Sequence, residues 1–301
     1  SKNRRYSLEY RTNRMFYTPF SFTAEGYWGF TDFNAYEDVE GLPRNRFDRE
    51  ATSVYRAIGY GATAAFGLYV QRFGHLLGKL RYEQQSIRTT EFRQRDATAI
   101  AENHALVSVG VSATVDTQDR YPFPRKGILF RGDYTSAQTA LGGDVAFSRL
   151  WAMYELYIPI YKEMIVFHPR FEFGYGDKTM PRFEEFRLGG LSKFIGMREN
   201  EFNGRQIVIG SAEVRYSLPF DILFDSYVSL RYDLGQTWEK PELIRISELR
   251  HGSGLMVGLD TPIGPANFGI GKSFYFVRNN PETSVRWGST NLYFSIGVEL
   301  Q

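Results

Sequence analysis

The stretch Asn291-Leu292-Tyr293-Phe294-Ser295-Ile296-Gly297-Val298-Glu299-Leu300 decides how this chain is read. Leu292, Phe294, Ile296, Val298 and Leu300 fall on one face, and Asn291, Tyr293, Ser295, Gly297 and Glu299 on the other. A period of two is the mark of a β-strand, because successive side chains leave the pleat on opposite sides. An oily face set against a small or polar one suits a strand with lipid outside and a wet lumen inside.

The same alternation recurs upstream. Ile165, Phe167, Phe171, Phe173 and Tyr175 alternate with Val166, His168, Arg170, Glu172 and Gly174. Val208, Ala212, Val214, Tyr216 and Leu218 oppose Ser211, Glu213, Arg215 and Ser217. Phe268, Ile270, Phe274 and Phe276 oppose Asn267, Gly269, Gly271 and Ser273, and Val54, Ile58, Tyr60, Phe66 and Leu68 share a side. About thirteen strands are expected, over 3–12, 17–35, 50–69, 74–92, 102–118, 126–138, 142–160, 163–176, 206–219, 221–238, 248–262, 265–277 and 290–300. Several exceed the roughly nine to eleven residues that cross a bilayer, so they should project beyond it. Single-chain bacterial barrels carry even strand numbers, so an odd count implies a merged or missed strand, or early strands upstream of Ser1. Short joints at Pro219-Phe220-Asp221 and Gly264-Pro265 read as periplasmic turns, and 38–48, 177–205, 240–247 and 278–289 as external loops. With no Pro- or Ser-rich linker, residues 1–301 read as one domain.

Composition agrees. The 301 residues include 25 Phe and 20 Tyr, more rings than a soluble domain of this size readily buries, whereas a barrel turns them to lipid and its interfaces. Mean hydropathy is −0.36 with 23% charged residues, and no long apolar window offers a transmembrane helix. A soluble β-sandwich would also alternate, but it would have to cover both faces, and these strands are long for one. With no cysteine there is no disulfide scaffold, thiolate metal site or thiol nucleophile. A net charge of +2 gives no reason to expect a nucleic-acid partner. Ser1 to Tyr10 is polar and reads as strand, which implies a signal already removed or the C-terminal part of a longer precursor.

Four stretches stand out. Asp116-Thr117-Gln118-Asp119, followed by Pro122, Pro124, Arg125, Lys126 and Gly127, breaks one strand and starts the next. The long segment Phe186 to Gly204 holds Leu188-Gly189-Gly190 and Phe194-Ile195-Gly196-Met197-Arg198-Glu199-Asn200-Glu201. In Tyr232-Asp233-Leu234-Gly235-Gln236-Thr237-Trp238, alternation turns Val228, Leu230 and Tyr232 outward and Arg231 and Asp233 toward the lumen. Gly254 to Asp260 runs into the tight joint Thr261-Pro262-Ile263-Gly264-Pro265 and on to Gly269 and Gly271.

Together these stretches resemble the C-terminal barrel of the Omp85 superfamily, the bacterial surface antigen family, over most of the chain and most strongly from about residue 104 onward. The resemblance implies a transmembrane antiparallel β-barrel, sixteen-stranded in the family, in a bacterial outer membrane. Phe186 to Gly204 then corresponds to loop 6, whose V-R-G-(F/Y) tip folds into the lumen and pairs its Arg with an Asp on a neighbouring strand. Asp233, with Gly235 beyond it, matches that partner strand. Ile195 stands where the family's Arg would be, and Arg198 is the candidate to pair with Asp233 instead, the alternative being a lumen carboxylate served by Arg231, Arg215 or water. The family's weak seam would run along the last strand, at Leu292, Phe294, Ile296 and Val298.

The wording Thr261-Pro262-Ile263-Gly264-Pro265, with Arg198-Glu199-Asn200-Glu201, is most similar to barrels that follow patatin-type phospholipase domains. The resemblance therefore implies a translocator or membrane anchor for an N-terminal soluble domain. A BamA/TamA-like assembly factor with periplasmic POTRA repeats and a client outer-membrane protein, or a passive porin-like channel, are the alternatives. No enzyme is expected in the chain itself. It has no G-x-S-x-G, no phosphate-binding glycine loop and no metal spacing among His75, His104, His168 and His251, so neither a cofactor nor a metal is implied. Outer-membrane lipid is the expected surrounding, with Arg44, Arg46, Arg49, Arg93 and Arg95 as candidate contacts to lipopolysaccharide phosphates. Oligomeric state is left open.

Overall fold

The computed structural model describes residues 3–71, 73–93, 99–219, 224–277 and 284–297. Among the described residues thirteen strands form one antiparallel sheet in chain order. They are β1 (Asn3–Thr12), β2 (Phe20–Asp38), β3 (Arg49–Val70), β4 (Gly74–Phe92), β5 (Ala101–Asp116), β6 (Gly127–Ala137), β7 (Phe147–Tyr161) and β8 (Ile165–Gly176), then β11 (Gln206–Ser217), β12 (Ser226–Trp238), β13 (Arg250–Thr261), β14 (Gly264–Phe276) and β15 (Val285–Ile296). Between β8 and β11 a small hairpin, β9 (Phe186–Leu188) with β10 (Phe202–Gly204), lies apart from this sheet. The thirteen expected strands are those observed. The largest departures are starts at Phe147 rather than 142, Ser226 rather than 221 and Val285 rather than 290. The loop expected over 278–289 is correspondingly shorter, because Val285 to Ser289 already pair with β14 or extend β15. The turn at Phe220-Asp221, Arg95, and Val298 to Leu300 lie outside the described residues.

The burial pattern is inverted relative to a water-soluble domain. Along β12, Val228, Leu230 and Tyr232 are exposed, whereas Ser229, Arg231 and Asp233 are buried. On β15, Leu292, Phe294 and Ile296 are exposed while Asn291, Tyr293 and Ser295 face inward and are half-buried. In water this arrangement would forfeit about 1.5–3 kcal/mol for each large apolar side chain left outside. In hydrocarbon it is the stable one, and every backbone polar group must then be satisfied by a neighbouring strand. Val54 departs from the pattern: it is buried although it shares a side with Ile58 and Tyr60. Register shifts on both flanks, between Ala35/Tyr36 and between Val54/Tyr55, interrupt the alternation there.

Because each strand is antiparallel to the next, β1 and β15 run in the same direction. No pairing between them occurs among the described residues. The outer end of the free β15 edge is instead occupied by the loop joining β2 to β3. There Phe47 N–H donates to Trp287 C=O at 3.1 Å and Trp287 N–H to Asn45 C=O at 2.9 Å, with Arg46 bridging Trp287 in parallel sense.

Inside, the wall charges pair with one another. His168 Nδ1 lies 3.0 Å from Glu213, and Arg215 is 3.4 Å from the same carboxylate. Arg170 donates to Glu172 at 2.7 Å, which also accepts Trp151 Nε1–H at 3.0 Å. Such pairing is what makes a charged inner face tolerable away from bulk water.

Candidate functional site

The segment 177–205 enters the lumen and builds an apolar core there. Met180, Phe186, Leu188, Phe194 and Met197 from the segment pack with Ile207 and Ile209 of β11, Phe147 of β7, Leu106 of β5 and Ala137 of β6. Ile207 and Ile209 sit on the inward face of a strand whose lower inward residues are Ser211, Glu213 and Arg215. The core of this molecule is thus a loop seated on the wet side of the wall, held by the same apolar burial that elsewhere joins two sheets.

The tip, Phe194-Ile195-Gly196-Met197, is fully buried. It lies flush on β13 and β14 because those strands carry glycine where it touches. A Cβ on Gly254 would stand 2.3 Å from Ile195 Cδ1, one on Gly252 2.1 Å from Ile195 O, and one on Gly271 2.6 Å from Ile195 Cγ1. Gly196 itself has φ +91°, and a Cβ there would stand 2.4 Å from the Lys272 carbonyl carbon, so both conformation and space demand glycine.

Polar contacts fix the tip to the wall. Ile195 N–H donates to Asp233 Oδ2 at 2.6 Å. Asp233 also accepts from Ser211 Oγ and from Arg231 Nε, the latter at 2.8 Å. Arg231 turns its remaining N–H groups to the loop backbone, reaching Leu191 O at 2.8 Å, Lys193 O at 3.0 Å and Ser192 O at 3.3 Å. On β15, Tyr293 OH accepts Gly196 N–H and donates to Met197 O, each at 2.8 Å, and Asn291 Nδ2 donates to Gly196 O at 2.9 Å. Loop and Asp233 do meet, as expected, but the expected pairing of Arg198 with Asp233 is not the contact formed. The guanidinium beside Asp233 comes from the strand, as Arg231, and the loop contributes a backbone N–H.

Arg198 points to the outer mouth instead. Its Nη1 donates to Asp48 Oδ1 at 2.7 Å and to Arg49 O at 2.6 Å. Asp48 also accepts from Ser289 Oγ of β15 at 3.0 Å. Burial pushes the Asp48 carboxyl up, but hydrogen bonds from Arg198 and Ser289 outweigh it and hold the group below its ordinary value. Arg49 donates to Glu201 O and, at 2.7 Å, to Tyr36 O, and lies 2.9 Å from Asp38. Its guanidinium therefore serves this mouth rather than facing out as a lipopolysaccharide contact. Glu199 is exposed, and Asn200 takes a left-handed backbone at φ 54°.

The other singled-out stretches have plain structural roles. In 117–126, Asp119 Oδ1 accepts the N–H groups of Arg125 and Lys126, and Asp116 Oδ1 accepts that of Gln118, so the turn satisfies its own backbone. Phe123 from this turn packs edge-on against Tyr227, 4.6 Å between ring centres. Pro262 and Ile263 form the two-residue joint between β13 and β14. Gly235 lies on the inner face of β12 against β11, where a Cβ would stand 2.6 Å from Val208 O.

Two cavities of about 640 and 630 Å³ remain on the β2–β4 side of the loop. Both are lined by Arg187, which stacks over Phe33 at 4.4 Å. The residues that sequence reasoning passed over are Arg231 as a loop contact, Tyr293, Asn291, Ile207 and Ile209. The signal available was a mismatch of type and face: two isoleucines and one tyrosine on faces otherwise small or charged.

An antiparallel sheet with oily outer and charged inner faces and a loop docked in its lumen defines an outer-membrane β-barrel. An Omp85 superfamily domain profile matches residues 1–299, and the chain belongs to that superfamily. Among solved structures 72 chains match. BamA from Haemophilus ducreyi, in a form lacking POTRA domains 1-3, superposes with a TM-score of 0.72 at 15% identity, over 97% of this chain and 62% of that one. CdiB from Acinetobacter baumannii gives 0.57 at 14% identity, over 98% of this chain and 50% of that one. The chain thus spans less than two thirds of the first and half of the second. No curated protein sequence matches it. As an Omp85 barrel it resides in the bacterial outer membrane.

Proposed function

We propose that this barrel handles polypeptide at the outer membrane, as translocator or membrane anchor for a soluble domain joined to its N-terminus. The observation that carries the reading is the docked loop 6. Its tip is fastened to β12 through Asp233 and Arg231 and to β15 through Tyr293 and Asn291, beside the sheet's open edge. A strand edge in hydrocarbon carries unpaired backbone groups at high cost, so it favours an incoming strand or chain. The Thr261-Pro262-Ile263-Gly264-Pro265 joint supports a patatin-type partner domain; any catalysis then belongs to that domain.

A second reading, a BamA/TamA-like assembly factor, is favoured by the high structural overlap with BamA. The two separate on the full gene product. Surface display of an N-terminal hydrolase that is lost when the barrel is deleted supports the first. Periplasmic repeats, with outer-membrane protein assembly failing on depletion, support the second. A passive channel is disfavoured by the apolar core that the loop forms in the lumen. Planar-bilayer recording tests this, since a large and stable open conductance would overturn both polypeptide-handling readings.

A further inference from the structure

Two cations of the docked segment stand apart from the pairing that serves the rest of the lumen. Arg187 of β9 and Lys193 both line the larger cavity, of about 640 Å³, and Arg187 also lines the second. Among the described residues neither has a carboxylate within 4.0 Å. The Arg187 guanidinium rests over the Phe33 ring at 4.4 Å and makes no side-chain hydrogen bond to a described residue. Lys193 Nζ donates one long bond, of 3.4 Å, to Arg187 O, which brings the ammonium beside the Arg187 backbone. The carboxylates lining this cavity are engaged elsewhere. Glu184 accepts from Arg149 at 3.3 Å and also from Arg81. Glu172 accepts from Arg170 at 2.7 Å and from Trp151 at 3.0 Å. Glu185 accepts from Asn203, and Glu83 from Tyr27 and Gln85.

An ammonium taken from water can shed its proton, but a guanidinium cannot. The contact with Phe33 offsets about 0.5–2 kcal/mol and leaves the N–H donors of Arg187 unfilled. A charge enclosed in this way calls for a counter-ion. The planar fork of a guanidinium fits two oxygens of one oxyanion, and an ammonium beside it can serve a third. Two positive charges favour a dianion over a single carboxylate. The cavity has the size of a small-molecule site, for which roughly 300–1,000 Å³ is usual. We propose that it is an anion site in which Arg187 and Lys193 hold a phosphate monoester group, carried by a soluble molecule or by a lipid headgroup. Both cations belong to loop 6, so the site exists while the loop is docked, and its occupancy fastens the loop further. The site is independent of the polypeptide-handling reading.

The test titrates the full chain, folded in octyl glucoside without phosphate or sulfate, with glycerol phosphate by calorimetry, and with phosphatidic acid doped into the micelles. Heat-modifiable gel mobility is the fold control. Saturable binding to the native chain is expected. Arg187→Met and Lys193→Met should each weaken it roughly tenfold or more, through loss of charge-assisted hydrogen bonds. Lys240→Met, at an exposed external cation, should leave it within about twofold. Binding of glycerol phosphate supports the site with a soluble ligand, and binding of phosphatidic acid alone supports it with a lipid headgroup. If the two methionine variants do not fold, the fluorescence of Trp151, which lines the cavity, takes their place. Glycerol phosphate should then shift the emission of the native chain saturably, and Trp151→Phe should abolish the shift. Absence of saturable binding overturns the site. So does binding that both methionine variants leave unchanged, a loss matched by Lys240→Met, or an emission shift that survives Trp151→Phe. None of these outcomes bears on the transport reading, which rests on the gene product and on conductance.

Discussion

The backbone N–H of Ile195 donates a 2.6 Å hydrogen bond to Asp233, a carboxylate with no solvent exposure, 38 residues further along the chain. The same carboxylate is held by Arg231 at 2.8 Å. Replacing Asp233 with asparagine removes the charge and leaves a buried guanidinium without its counter-ion. Breaking a buried pair from one side typically costs about 3–5 kcal/mol. Asp233→Asn should therefore lower the urea midpoint of the refolded barrel and expose the 191–199 segment to protease, read by limited proteolysis. Unchanged cleavage would remove Asp233 from the loop contact.

Ile195 fills a glycine-walled site, so Ile195→Arg alone should undock the tip through overfilling and through a second buried guanidinium beside Arg231. Combined with Arg231→Leu, the loop-borne arginine gains Asp233 as a partner. The double variant should be more stable than the sum of the single losses predicts, by about 1–3 kcal/mol of coupling. Simple additivity in urea titrations would mean that the two positions do not share Asp233.

Arg198 and Asp48 form a half-exposed pair, with side-chain exposures of 33% and 26%, so solvent screening limits its worth to about 0.2–1 kcal/mol. A double-mutant cycle on Arg198→Ala and Asp48→Ala should return a coupling in that range. An Arg198→Ala, Asp233→Ala cycle should return none.

Asp48 has a folded pKa below its ordinary 3.8. Its contribution is therefore complete above about pH 4 and is lost as pH falls through the lowered folded value. The mobility of a spin label attached at exposed Ser192 should stay constant from neutral to that pH and rise below it. Asp48→Asn should abolish the acid-side rise; a rise that survives the substitution assigns it to another group.

Leu230 is 58% exposed near the middle of β12. On a lipid-facing surface Leu230→Arg should cost about 2–4 kcal/mol in vesicles. A near-neutral effect there would contradict a hydrocarbon surrounding for that face.

Much of this architecture was legible because alternation is a local property. Leu292, Phe294 and Ile296 declare their face from their own neighbours, and so do Arg231 and Asp233. The location of loop 6 and its meeting with Asp233 were legible through motif wording. Which atoms meet was not. Arg198 bonds a residue 150 positions away, because the turn at Gly196 carries the chain back toward the mouth. Tyr293 contacts Gly196 across 97 positions. Neither separation leaves a trace in periodicity. Ile207 and Ile209 were hidden for a different reason: inside a barrel, an apolar residue on the watery face has meaning only once something oily is seated against it.

The tip of loop 6 is tied on one side to β12 and on the other to β15, the terminal strand of the sheet. It therefore works as a tie rod inside the cylinder. While it is seated, the end strand cannot swing away from the body without stretching hydrogen bonds at both attachments. Once it lifts, the described part of that strand is braced by β14, by the short clasp at Trp287 and by the Ser289–Asp48 hydrogen bond, so emptying the lumen and loosening the rim become one mechanical event.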